Sequence, residues 1–136
     1  MSTSFISRNK VPIDAGCNIT GAGFLRDLLE KLGHKNPQIS GVGSGPHIPA
    51  REANAWGMSI LKAMEEDRLM LVKIKDGTMM GGYRDKIAIL SDGEWDTQIN
   101  GNKPPPEDIV PLDDGTKSWL TKVSKFFMLC GGFTQY

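Results

Sequence analysis

Along this chain the hydrophobic period is 3.6 residues in two stretches between Thr20 and Met64, falls to two from Leu69, and returns to 3.6 after Thr116. A helical stripe and a pleated alternation cannot occupy one element, so the change of period commits the chain to helices on either side of a sheet. From Thr20, TGAGFLRDLLEKLG puts Leu25, Leu28, Leu29 and Leu32 on one helix face, with Asn18 or Thr20 as N-cap and Gly33 as C-terminal cap. A second helix is expected to open with Pro49 at its first position. Its apolar face is Ala53, Trp56, Ile60, Leu61 and Met64. Gly57 in its middle costs about 1 kcal/mol relative to alanine, which implies close packing against another element. Glu65, Glu66 and Asp67 close that helix against the sense of its dipole, which implies fraying or a basic neighbour. The third helix, Thr116 to Cys130, sets Trp119, Leu120, Val123, Phe126, Phe127 and Cys130 on one face and Lys117, Lys122 and Lys125 on the rest. Gly131-Gly132 stops it, and Phe133 is expected to fold back past the cap.

Between the second and third helices, Leu69 to Lys75 alternates as a strand, and Asp76-Gly77 and Asp92-Gly93 are type I′ turn signals. The second turn sets Leu90 opposite Trp95 and Ala88 opposite Thr97, leaving Glu94 and Asp96 on the wet face. Gly81-Gly82 is the weak point of this ribbon. Ser4 to Ser7 reads as an edge strand, Asn9 to Asn18 and His34 to Ile48 as loops, and the Pro-rich, acidic stretch 92–115 ends in a polyproline-like connector outside the core. The expected fold class is α+β: three helices packed on a small antiparallel β-meander of three to four strands, in one domain of 136 residues.

Sixteen Lys plus Arg balance sixteen Asp plus Glu, so the basic excess of a dedicated nucleic-acid binder is missing and nucleic acid is disfavoured as a partner. No apolar run spans a bilayer and MSTSFISRNK lacks a signal-peptide core, which predicts a cytoplasmic protein with no membrane contact. Cys17 and Cys130 are then expected as free thiols. With His34 and His47 they are too scattered for structural zinc, and no cofactor fingerprint is present.

Four local features carry candidate chemistry. Gly41 to Ala53, GVGSGPHIPAREA, is a glycine loop running toward a helix N-terminus, where unpaired N–H groups favour anions. It nominates Gly43, Ser44, Gly45, His47 and Arg51 as a small-anion or nucleotide site, although the spacing fits neither the P-loop nor the dinucleotide fingerprint. Cys17, with Asp14 nearby and His34 or His47 elsewhere, offers the components of a cysteine nucleophile without its geometry. Asp92, Glu94 and Asp96 are spaced like calcium ligands, but Thr97 and Lys103 stand where an EF-hand needs Gly and Glu. Charge is also segregated: Asp92 to Asp114 holds seven acids against Lys103, while Gly115 to Tyr136 holds Lys117, Lys122 and Lys125 with no acid. This nominates Lys117, Lys122 and Lys125, with Glu107 and Asp108, as surfaces for a charged partner, or alternatively as faces that cover one another within the molecule.

The helix opening Ile48-Pro49-Ala50-Arg51-Glu52-Ala53-Asn54-Ala55-Trp56, the glycine loop before it and the closing Phe126-Phe127-Met128-Leu129-Cys130-Gly131-Gly132-Phe133 resemble small uncharacterised bacterial and phage-encoded proteins. The resemblance covers about a third of the chain and implies no reaction and no site residue; it implies an accessory protein of microbial conflict, acting by binding. With no complete catalytic constellation, the leading expectation is a non-enzymatic inhibitor, immunity or anti-defence factor that occludes a protein partner. A small-anion binder comes second and a cysteine-dependent enzyme third.

Overall fold

Helices form where the 3.6-residue stripes lie: α1 Ile19–Lys31, α2 Ala50–Glu65 and α3 Asp114–Leu129. The structure is a computed structural model that describes residues 2–75, 83–96 and 103–136. Side chains at 18–20, where the N-cap of α1 was expected, lie outside the described set. At the other end of α1 the Gly33 N–H donates to Glu30 O at 3.0 Å and the His34 N–H to Leu29 O at 2.9 Å, which closes the helix. Pro49 is the N-cap of α2 rather than its first helical residue, with extended backbone at φ −66° and ψ 156°. The acidic end of α2 is capped, not frayed. Asp67 takes the left-handed conformation, φ 53°, so that the Arg68 N–H reaches Ala63 O at 2.9 Å. On α3 the Asp113 carboxylate accepts the Thr116 N–H at 2.6 Å, which holds its pKa below the ordinary value.

The described strands are β1 Ser2–Ser7, β2 Ala15–Asn18, β3 Gly45–Ile48, β4 Leu69–Lys75, β5 Tyr83–Ser91, β6 Glu94–Asp96, β7 Ile109–Pro111 and β8 Phe133–Gln135. They make two antiparallel sheets of four, ordered β6-β5-β4-β7 and β2-β1-β8-β3. The first contains the expected meander. Asp92 (φ 51°) and Gly93 (φ 80°) form its type I′ turn and set Leu90 opposite Trp95. Asp76-Gly77, Gly81-Gly82 and the pairing of Ala88 with Thr97 lie outside the described residues. The pleat turns Leu69, Leu71, Ile87 and Ile89 to the core, which places Met70, Ala88, Leu90 and Trp95 on the opposite face. Trp95 therefore stands apart from the core that holds Trp56 and borders Trp119.

The second sheet is absent from the sequence expectation. Its strands run only three to six residues, and the partner of β1 and β3 at its centre, β8, is remote in the chain, so local pattern gives little sign of the sheet. Ser4 to Ser7 belongs to an interior strand, not an edge: β1 lies between β2 and β8, with Phe5 opposite both Ala15 and Gln135. Two segments expected as loops contribute β2 and β3, and the fold-back at Phe133 continues as β8. The connector also departs from expectation: β7 pairs with β4, and Leu112 is buried.

One hydrophobic cluster joins both sheets to all three helices. At its centre Phe5, Phe126, Phe127 and Phe133 gather, with Trp56 edge-on to Phe127 at 5.4 Å between ring centroids. The close packing implied by Gly57 is present: a Cβ there would stand 2.5 Å from Ser124 O on α3.

Candidate functional site

The buried stripe of α3, Leu120, Val123, Phe126 and Phe127, fixes the rotation of that helix and so determines what its other side presents. Two adjacent rows result, Lys117, Thr121 and Lys125 at successive steps of four, with Ser118 and Lys122 beside them. Together with Ile13 from the segment before β2, these residues line one open groove of about 510 Å³. All three lysines are exposed. Among the described residues no carboxylate stands within ion-pair distance of them; the pairs formed there include Lys31 with Asp27 at 2.9 Å and Lys103 with Glu94 at 3.5 Å. The described acids of the connector thus form no ion pair with these lysines. Glu107 and Asp108 sit on a short 3-10 helix, Pro106–Asp108, and do not line the groove. Lys117 also borders a second cleft, of about 220 Å³, walled by Met64, Leu69, Met70, Pro111 and Leu112 with Asp67 at its rim.

The glycine loop is shaped mainly by two buried polar side chains. Thr3 Oγ1 accepts the Gly43 N–H at 2.9 Å and donates to Gly43 O at 3.0 Å. Gln135 Oε1 accepts the Ser40 N–H at 2.7 Å, and its Nε2 donates to Gln38 O at 2.7 Å and Pro46 O at 2.9 Å. Gly45 lies against that amide, where a Cβ would come within 2.9 Å of Gln135 Nε2. The nominated anion set is divided by this arrangement. Ser44 and Gly45 line a cleft of about 270 Å³ with Arg26, whose guanidinium donates to Ile39 O. His47 and Arg51 are exposed and lie outside that cleft, because Gly45–Ile48 is a strand rather than a loop running into the helix, and the Gly43 N–H is already taken by Thr3.

Cys17 is buried and donates its S–H to Ser40 O at 3.4 Å. Burial pushes its pKa up to about 11, partly opposed by the Arg26 charge, so the thiol stays protonated near neutrality, the opposite of what a nucleophile needs. Cys130 is likewise buried, with its pKa raised by burial. His34 meets neither of them: its Nε2 is 2.8 Å from Ser59 Oγ, and burial lowers its pKa against the pull of Glu52. Ser59 sits inside α2, where neighbouring amides are committed to helix hydrogen bonds and offer no oxyanion donors. The contact ties the end of α1 to α2. Among the described residues no three His, Cys, Asp or Glu side chains converge as metal ligands, Asp92, Glu94 and Asp96 included, and no helix is long and apolar enough to cross a membrane.

Thr3, Gln135, Arg26 and Ile13 were not among the sequence candidates. Gln135 had one local signal, as a polar residue two places from Phe133 on a short final segment; Thr3 and Ile13 had none, since only the tertiary fold gives them partners. Protein-family models, curated proteins and solved structures were compared with this chain, and none matches it.

Proposed function

We propose that this protein acts by binding, as an inhibitor or immunity-type factor that covers an acidic protein partner with the lysine groove of α3. The observation that supports this reading is the gathering of Lys117, Lys122 and Lys125 on one groove without a neutralising carboxylate among the described residues. Exposed ion pairs contribute about 0.2–1 kcal/mol each, so three supply on the order of 1–3 kcal/mol. A micromolar complex needs about 8 kcal/mol. The lysines therefore steer and select, and the remaining affinity comes from apolar contact. Ile13 is the apolar wall of the groove, and among the described residues no aromatic side chain lines it as a platform on which a nucleobase could stack.

The test compares a glutamate-rich peptide with a single-stranded oligonucleotide, each titrated into wild type and into Lys117→Glu/Lys122→Glu/Lys125→Glu, at about 50 and about 200 mM salt. The expected result is peptide binding that weakens with salt and disappears in the triple variant. No peptide binding, or tighter binding of the oligonucleotide at both salt concentrations, overturns the reading.

Arg26 favours a second reading, in which a small anion occupies the cleft it shares with Ser44 and Gly45. Phosphate or a nucleotide at about 100 times its Kd would then stabilise the fold by about 2.7 kcal/mol, and an unshifted melting curve ends the idea.

A further inference from the structure

Lys117 borders both the open lysine groove and the apolar cleft beside it, so whatever lies in the one reaches the other. The cleft is lined by the buried Leu69 and Leu112 and by Met64, Met70 and Pro111. At about 220 Å³ it is smaller than the roughly 300–1,000 Å³ of small-molecule sites, a size suited to one large side chain. Methionines on its wall can adjust to the shape of that side chain.

We propose that this cleft is the anchor pocket of the lysine groove: it takes one leucine- or phenylalanine-sized side chain of an acidic protein segment whose carboxylates lie on Lys117, Lys122 and Lys125. The inference rests on the reading of α3 as the recognition surface and adds the form of the partner. Charge complementarity orders the segment. Asp67 on the rim of the cleft repels carboxylates there, while the lysines attract them along α3, so the acids fall to one side of the anchor. From Lys117 to Lys125 is eight residues of helix, about 12 Å, which an extended chain covers in about four residues. The recognised segment is thus one large apolar residue with acids in the next four or so positions. An apolar anchor in a desolvated pocket with charges at its rim is the usual division of labour at a protein interface.

Fluorescence anisotropy with three labelled peptides tests this: phenylalanine beside four glutamates, alanine beside four glutamates, and phenylalanine beside four glutamines. The expected result is that the first binds at least about tenfold tighter than either of the others. Met64→Gln/Met70→Gln, with its fold checked by circular dichroism, is expected to abolish the advantage of phenylalanine over alanine and leave the alanine peptide unchanged. Equal binding of the two glutamate peptides to wild type overturns the anchor and leaves the groove standing. Equal binding of the two phenylalanine peptides overturns the coupling through Lys117. If neither glutamate peptide binds, the groove reading fails and the anchor fails with it. The comparison between peptides needs no variant, so a misfolded double variant does not decide the outcome.

Discussion

Replacing Gly57 with alanine sets two effects of known size against each other. In a helix interior alanine is favoured over glycine by about 0.8–1.0 kcal/mol, so propensity alone makes Gly57→Ala stabilising. At the crossing with α3, however, the new Cβ would meet Ser124 O at 2.5 Å, Met128 Cγ at 2.7 Å and Phe127 Cβ at 3.2 Å. Met128 is exposed and can swing away, but Ser124 O is helix backbone. Reaching ordinary contact distance requires the helices to part locally by roughly 1 Å, and a gap of about 0.5–1 Å forfeits about a quarter to a half of the dispersion energy across it. The side chains affected are Trp56, Ile60, Leu120, Val123 and Phe127, all fully buried. Overpacking costs about 1–3 kcal/mol, and an immovable obstacle argues for the upper end. Subtracting the propensity gain leaves a net loss of about 2 kcal/mol. Urea unfolding followed by tryptophan fluorescence should show a lower midpoint with an unchanged m-value. Ser124→Ala is the companion experiment: its Oγ is buried without a partner among the described residues, so its removal should stabilise by about 1 kcal/mol. A Gly57→Ala midpoint at or above that of wild type refutes the claim that this crossing requires bare backbone.

Gln135→Leu removes three hydrogen bonds from a buried amide at about 1 kcal/mol each; allowing for water reaching the exposed Gln38 and Pro46, the expected loss is about 2 kcal/mol. It should be accompanied by faster amide exchange at Ser40, and a loss below about 0.5 kcal/mol would show that the amide does not hold the loop. Cys17 yields a pH prediction. Its folded pKa, about 11, lies above the unfolded value of 9.0, so its contribution is fully present below pH 9.0 and is lost as pH rises toward 11. Cys17→Ala should flatten that alkaline decline, and native Cys17 should alkylate far more slowly than the unfolded chain. Rapid alkylation of the native protein at about pH 8 would contradict the buried, protonated thiol.

The candidate site was legible only in part. Lys117, Lys122 and Lys125 could be assigned to one helix from the apolar stripe opposite them, because rotation about a helix axis follows from sequence spacing. That they share a groove with Ile13, and that Lys117 reaches the cleft between α2, β4 and β7, follows from how distant segments pack. The glycine loop shows the opposite case. Its composition suggested an anion cradle, but glycine serves close approach to any neighbour, and here part of that role goes to the buried Gln135 amide, 90 residues beyond Gly45 in the chain.

What the amino-acid order determined by itself was local: three helices, the Asp92-Gly93 turn with Leu90 opposite Trp95, and the close approach at Gly57. Each depends on a period or a dihedral preference acting within a few residues. Tertiary structure decided the rest. The second sheet joins the two chain ends by pairing Phe5 with Gln135 and Ile6 with Thr134, and which face of the first sheet turns inward depends on the helices packed against it. Both outcomes are set by contacts between segments far apart in sequence, where a short strand carries too few residues to announce its partner.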